Sequence, residues 1–199
     1  MILYSKNRKN KVYITDVAIK KVPYIDFCGK TKEDNLLLQK ASVLVLTMSK
    51  YENDSNEVSI TIDLTKGDFN LKKEDMSFGI SYGDEHQVNV LSDTRSFHII
   101  NTSERCSVAI SHNHPSTQTF SLEDISFFLR YASIGLFIVV SNQGVVHYLQ
   151  KTSKYDYDKA RKLFFDCSKK RKLYETEKDY YRKAIRFFQN CSKCGIIYM

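Results

Sequence analysis

Residues 57–64 alternate without a break. Val58, Ile60, Ile62 and Leu64 fall on one face of an extended chain, and Glu57, Ser59, Thr61 and Asp63 fall on the other. A strand of this kind has to lay its apolar face on another element. The preceding segment supplies one. Leu37, Leu38, Ala41, Leu44, Val45 and Met48 recur at helical spacing, so a buried amphipathic helix is predicted over about 33–50. Thr31 followed by Asp34 reads as its N-terminal cap, and the turn-forming run 51–56 (YENDSN) ends it.

The rest of the chain continues this mixture. Val12, Ile14, Val17 and Ile19 alternate weakly and predict a strand or hairpin before Pro23. Short strands are predicted at 87–91 and 96–100, and a longer one at 105–111 that leads into His112. Ser121 caps a predicted helix over 121–132, with Glu123 and Asp124 in its first turn. Residues 136–141 and 145–149 flank Asn142-Gln143-Gly144 as a hairpin. From about 156 to 190 the pattern is helical, in two segments that meet near 169–172. The fold class expected is α+β (mixed α/β), in two parts: 1–150, and a basic helical extension over 151–199 that packs on it.

Composition narrows the class. The chain has 199 residues, 42% of them hydrophobic, which is enough for a proper core. Seven glycines and two prolines exclude collagen-like, linker and turn-dense propeller architectures. No apolar run approaches the roughly 18 residues a membrane helix needs, and the first residues lack the basic-then-apolar order of a signal peptide. The expectation is a soluble, cytoplasmic protein without a membrane partner. Cys28, Cys106, Cys167, Cys191 and Cys194 are odd in number and scattered, which argues for free thiols. Cys191 and Cys194 form a lone CxxC with no second pair to complete a structural zinc site.

The residues able to do chemistry lie at 111–124. His112 and His114, two apart on an extended chain, project to the same side and can reach one ion. Pro115 then turns the chain away. Asp124, in the first turn of the following helix, can swing its carboxylate back to the same point. Two histidines, one carboxylate and an open position describe a catalytic zinc site, where bound water ionises near neutral pH. Glu57, on the polar face of the alternating strand, is the candidate proton acceptor, with Glu52 as its nearby competitor. The bland readings are a histidine pair bonded around a turn and Ser121 with Asp124 as a helix cap. His86, His98 and His147 read as ordinary surface or core histidines.

Together these residues resemble the signature of the JAMM (JAB1/MPN+) metal-dependent peptidases: an upstream Glu, then H-x-H-P, a spacer and S-x-x-D. The wording His112-Asn113-His114-Pro115-Ser116 is similar to the RadC-like branch and to bacterial and phage- or toxin-associated JAB-like domains. The resemblance covers roughly 31–150, with one departure: six residues separate His114 from Ser121 where the family has seven. It implies a JAB/MPN-like central sheet flanked by helices. It implies Zn2+ held by His112, His114 and Asp124, Glu57 as general acid/base, and Ser121 supporting the oxyanion. The implied reaction is hydrolysis of a peptide or isopeptide bond in a protein or peptide substrate.

Charge supplies the alternative. Residues 151–199 carry 14 basic and 6 acidic side chains, a net of +8, while residues 1–150 carry 16 and 17. Lys169, Lys170, Arg171, Lys172, Arg182, Lys183 and Arg186 are the candidate contacts for nonspecific nucleic acid or an acidic partner. On that reading the chain is a non-catalytic JAB-like binding module.

Overall fold

The alternating segment becomes strand β1 (Val58–Asp63), and both of its faces are buried. The computed structural model of the protein describes residues 11–66, 78–116, 119–169 and 176–199. Helix α1 spans Asp16–Lys20 and α2 spans Lys32–Glu52. After β1 come β2 (Phe78–Tyr82), α3 (Thr94–Thr102), β3 (Val108–His114) and α4 (Leu122–Arg130). The chain continues with β4 (Ile134–Ser141), β5 (Val146–Lys151), α5 (Tyr157–Ser168), α6 (Glu177–Asn190) and β6 (Ile196–Tyr198). The fold is α+β: one six-stranded mixed sheet, ordered β2-β1-β3-β4-β5-β6, with helices on both faces.

The apolar face of β1 meets α2, as the periodicity predicts. Val58, Ile60 and Ile62 pack with Ala41, Val45 and Met48, and Ala109, Leu136, Ile138 and Val140 continue the layer against Leu38 and Leu46. Thr31 and Asp34 form the expected reciprocal cap: Asp34 N donates to Thr31 Oγ1 and Thr31 N donates to Asp34 Oδ2. The opposite face carries the larger core. Val108, Ile110, Phe137, Val139 and Leu149 are covered by Ile99 and Ile100 of α3, by Ile125, Phe128 and Leu129 of α4, and by Ala160, Ala184 and Phe187 of α5 and α6.

Among the described residues only the β3–β4 pair is parallel, so it requires a crossover, and α4 provides it. A crossover helix starts where its first strand ends. The N-terminus of α4 is therefore brought beside the C-terminal end of β3, with the site's residues on both. The far end of α4 is fixed too: Lys151 Nζ, buried at the end of β5, donates to the carbonyls of Phe128 and Tyr131.

Several sequence expectations are corrected. The weak alternation at 11–27 does not form strands; Thr15 caps the short helix α1. The strand expected at 96–100 is helix α3, because Asp93 caps it and the adjacent Ile99 and Ile100 suit either period. Residues 87–91 form no strand; Asn89 within them caps a 3-10 turn at Val90–Ser92. Strand β3 starts later than predicted and runs through both histidines. Strand β6 extends the sheet beside β5, so residues of the basic segment complete the central layer. In α6 the core anchor is Phe187, wholly buried, while Tyr181 faces outward. Gly79 on β2 admits α3 closely: a Cβ there would lie 2.1 Å from Ser96 Oγ. Among the described residues no helix is long and apolar enough to cross a membrane.

Because Phe187 sits in the larger core, Phe187→Ala should destabilise the whole domain by about 3–5 kcal/mol. Urea unfolding followed at β-sheet and helix signals should show one transition shifted to lower midpoint. Loss of the α5–α6 signal alone would show that these helices are not part of the cooperative unit.

Candidate metal centre

His112 and His114 lie on the same face of β3 at its C-terminal end, both buried. Their Nε2 atoms face each other at 3.0 Å. Asp124 reaches them from the first turn of α4: Oδ1 is 3.6 Å from His112 Nε2, and Oδ2 is 3.5 Å from His114 Nε2. Among the described residues these three are the group whose donor atoms, all within 4.8 Å of one another, could hold a cation. The spacings can be tested against zinc. Tetrahedral ligands bonded at 2.0–2.1 Å lie about 3.3 Å apart, and the observed 3.0, 3.5 and 3.6 Å bracket that value. The residues fit the ion.

The six-residue connection from His114 to Ser121 is long enough to return the chain, and Phe120 shows how it is held. Phe120 is buried among His112, Phe137, Phe188 and Tyr198, with ring centroids 5.6–6.5 Å away. At the start of the loop, Val12 N donates to the carbonyl of Pro115. Phe120 and Ile125 occupy the positions of a hydrophobic staple around the Ser121 cap, and both join the larger core. That pattern is a sequence signal for Phe120. Its partners Phe188 and Tyr198, from the basic segment, have no such signal.

Ser121 and Asp124 are a helix cap and a site component at once. Asp124 N donates to Ser121 Oγ at 3.0 Å, while Ser121 N and Oγ both donate to Asp124 Oδ2 at 2.7 Å. The capping geometry that starts α4, worth about 1 kcal/mol, also fixes the direction of the carboxylate.

Glu57 stands immediately before β1 and is buried. β1 and β3 are antiparallel with Ser59 opposite His112. The paired register ends there; Glu57 lies two residues beyond it, so strand alternation assigns Glu57 to the face of Ser59 and His112. It lies outside the compact three-residue group. Glu52 lies apart, at the exposed end of α2, where its Oε2 accepts a hydrogen bond from Tyr82.

Electrostatics prepare the donors. Burial pushes the pKa of His112 down to about 4, with His114 adding to the fall while Asp124 and the Ile138 carbonyl oppose it. Burial would raise Asp124. The hydrogen bond to His114, the attraction of both imidazoles and the Ser121 hydroxyl instead hold it well below the ordinary carboxylate range. At neutral pH the site offers a neutral His112 and an ionised Asp124. His112 Nδ1 makes no hydrogen bond of standard geometry among the described residues. Phe137 stacks on its ring at 4.9 Å and sets its plane.

The other candidates lie elsewhere. His86 pairs with Glu85, His98 is exposed on α3, and His147 stacks on Tyr198. Of the basic residues, Lys183 is a correction: it is buried, and its Nζ donates to the Ser168 carbonyl at the end of α5. Lys169, Arg182 and Arg186 are exposed, with Lys169 beside Asp166 and Arg182 beside Asp179. Lys170, Arg171 and Lys172 lie outside the described residues.

The depressed pKa of His112 has a sign that can be checked. Unfolded, this side chain binds a proton below its ordinary 6.5; folded, it resists until about 4. Between those values the unfolded chain holds more protons, so stability is lost as pH falls. Protein stripped of metal should show urea midpoints dropping from pH 6.5 toward 4, and His112→Gln should flatten that slope. An unchanged slope in the variant would contradict the burial assigned to His112. Comparison with family models, with curated proteins and with solved structures finds no match to this chain.

Proposed function

We propose that the protein is a zinc-dependent hydrolase of JAMM type that cleaves a peptide or isopeptide bond. The observation that carries this reading is the convergence of His112, His114 and Asp124 at zinc-compatible spacing; Glu57, buried just before β1, is assigned to the same face by strand alternation. The two imidazole Nε2 atoms and the Asp124 carboxylate would hold the ion. When bound, zinc supplies Lewis acidity and a water acidic enough to ionise near neutral pH.

The remaining work belongs to the chain's own side chains. Glu57 is not one of the three residues of the group, and the role proposed for its carboxylate is to take a proton and return it to the leaving amine. Ser121 orients Asp124 through the two hydrogen bonds to Oδ2. The oxyanion role implied for Ser121 requires its hydroxyl hydrogen to turn from Asp124 toward substrate. Phe120 and Phe137 keep water off the ring of His112. A reducing compartment such as the cytoplasm suits five cysteines that form no disulfide.

The alternative, a nucleic-acid or acidic-partner module, draws on exposed cations of α5 and α6. Lys159, Lys169 and Arg182 pair with Asp156, Asp166 and Asp179 along these same helices, and Lys183 is buried against the Ser168 carbonyl. The hydrolase reading is favoured because it rests on converging donor groups, both histidines among them buried.

Protein purified without added metal should contain close to one zinc per chain by elemental analysis, and His112→Ala should remove it. Glu57→Gln should keep the zinc. It should also slow cleavage across a panel of peptide and lysine-linked isopeptide substrates by roughly 100- to 10,000-fold. Zinc content unaffected by His112→Ala, or full hydrolysis by Glu57→Gln, would overturn the reading.

A further inference from the structure

Between the two histidines, Asn113 points to the opposite face of the sheet and is wholly buried. Its carboxamide is used at both ends. Oδ1 accepts from Val58 N at 2.7 Å. Nδ2 shares its two hydrogens among three acceptors within reach: Asn142 Oδ1 at 2.7 Å, Ser49 Oγ at 3.0 Å and the Asn56 carbonyl at 3.1 Å. Asn142 extends the network: its Nδ2 reaches the carbonyls of Val12 and Ser55, and its backbone N donates to the carbonyl of His114.

The amide that Asn113 holds belongs to the peptide bond joining Glu57 to Val58. The other backbone groups of Glu57 are held as well: its N donates to the Asp84 carbonyl, and its carbonyl accepts from Gly83 N and Asn53 Nδ2. Of these anchors, only Asn113 comes from the strand that carries the histidines. A side chain that must accept from a backbone N–H at one end and donate at the other is a carboxamide; no apolar or hydroxyl side chain of that reach does both.

We infer that Asn113 is the positioning residue for Glu57, locking the proton acceptor to the metal-binding strand from the reverse face of the sheet. The inference rests on the proposed role of Glu57, although the anchoring itself can be measured without metal. A polar group at this depth also costs stability if left unpaired, so a purely structural role is the rival explanation.

The test uses the full chain. In the wild-type protein the Val58 amide should exchange with solvent as slowly as the amides of Ser59–Ile62, and in Asn113→Ala it should speed up by roughly tenfold or more, with the centre of β1 unchanged. The 13Cδ resonance of Glu57, assigned by its loss in Glu57→Gln, should move in Asn113→Ala. A fast Val58 amide in the wild-type protein overturns the inference, and this needs no variant to fold. So does a Glu57 resonance unmoved in Asn113→Ala, or uniform loosening of β1 and β3. If the wild-type protein binds no zinc, the hydrolase reading fails, while the exchange and resonance data still decide the anchoring.

Discussion

The site depends on one placement: the carboxylate of Asp124, held by the capping box of α4, directed at the two imidazoles at the end of β3. Neither half brings the other there alone. The parallel β3–β4 pair forces a crossover, the crossover helix begins where β3 ends, and the cap that starts the helix fixes the carboxylate's direction. Topology, capping and ligand geometry are thus satisfied by the same few bonds.

Around this placement the structure is arranged in shells of different chemistry. Aromatic rings pack the His112 side: Phe137 beneath it, and Phe120 wedged against Phe188 and Tyr198. The reverse face is polar where it meets the site, with Asn113, Asn142 and Ser49 forming a fully buried network under α2. The two faces have different jobs. The aromatic side excludes water and keeps His112 neutral, and the polar side fixes strands relative to one another without placing a charge in the core.

Much of the site was legible from local sequence. Histidines two apart on an extended chain, a cap pairing residues three apart, and an alternating strand with an acid at its start each report on geometry that spans only a few residues. The α2 layer was legible for the same reason. What could not be read depends on pairing across the chain. Nothing local to Phe188 or Tyr198 marks a contact with Phe120; it exists because α6 packs on the larger core and β6 pairs with β5. Lys183 looks like part of a cationic face until the packing of α5 on α6 turns it to the Ser168 carbonyl. The role of Asn113 is not legible locally, because the partner of its carboxamide, Val58 N, is set by β1 lying beside β3. The strand expected at 96–100 failed because an isoleucine pair fits both periods and the cap at Asp93 decides between them.

The central claim is that two imidazoles and one carboxylate share a cation. Zinc-edge X-ray absorption on the purified protein, paired with anomalous diffraction from its crystals, tests this most directly. The account predicts one zinc with two imidazole nitrogens and a carboxylate oxygen at about 2.0–2.2 Å, and an anomalous peak between His112, His114 and Asp124. Sulfur ligands in the absorption spectrum, or a peak at Cys191 and Cys194, would contradict it.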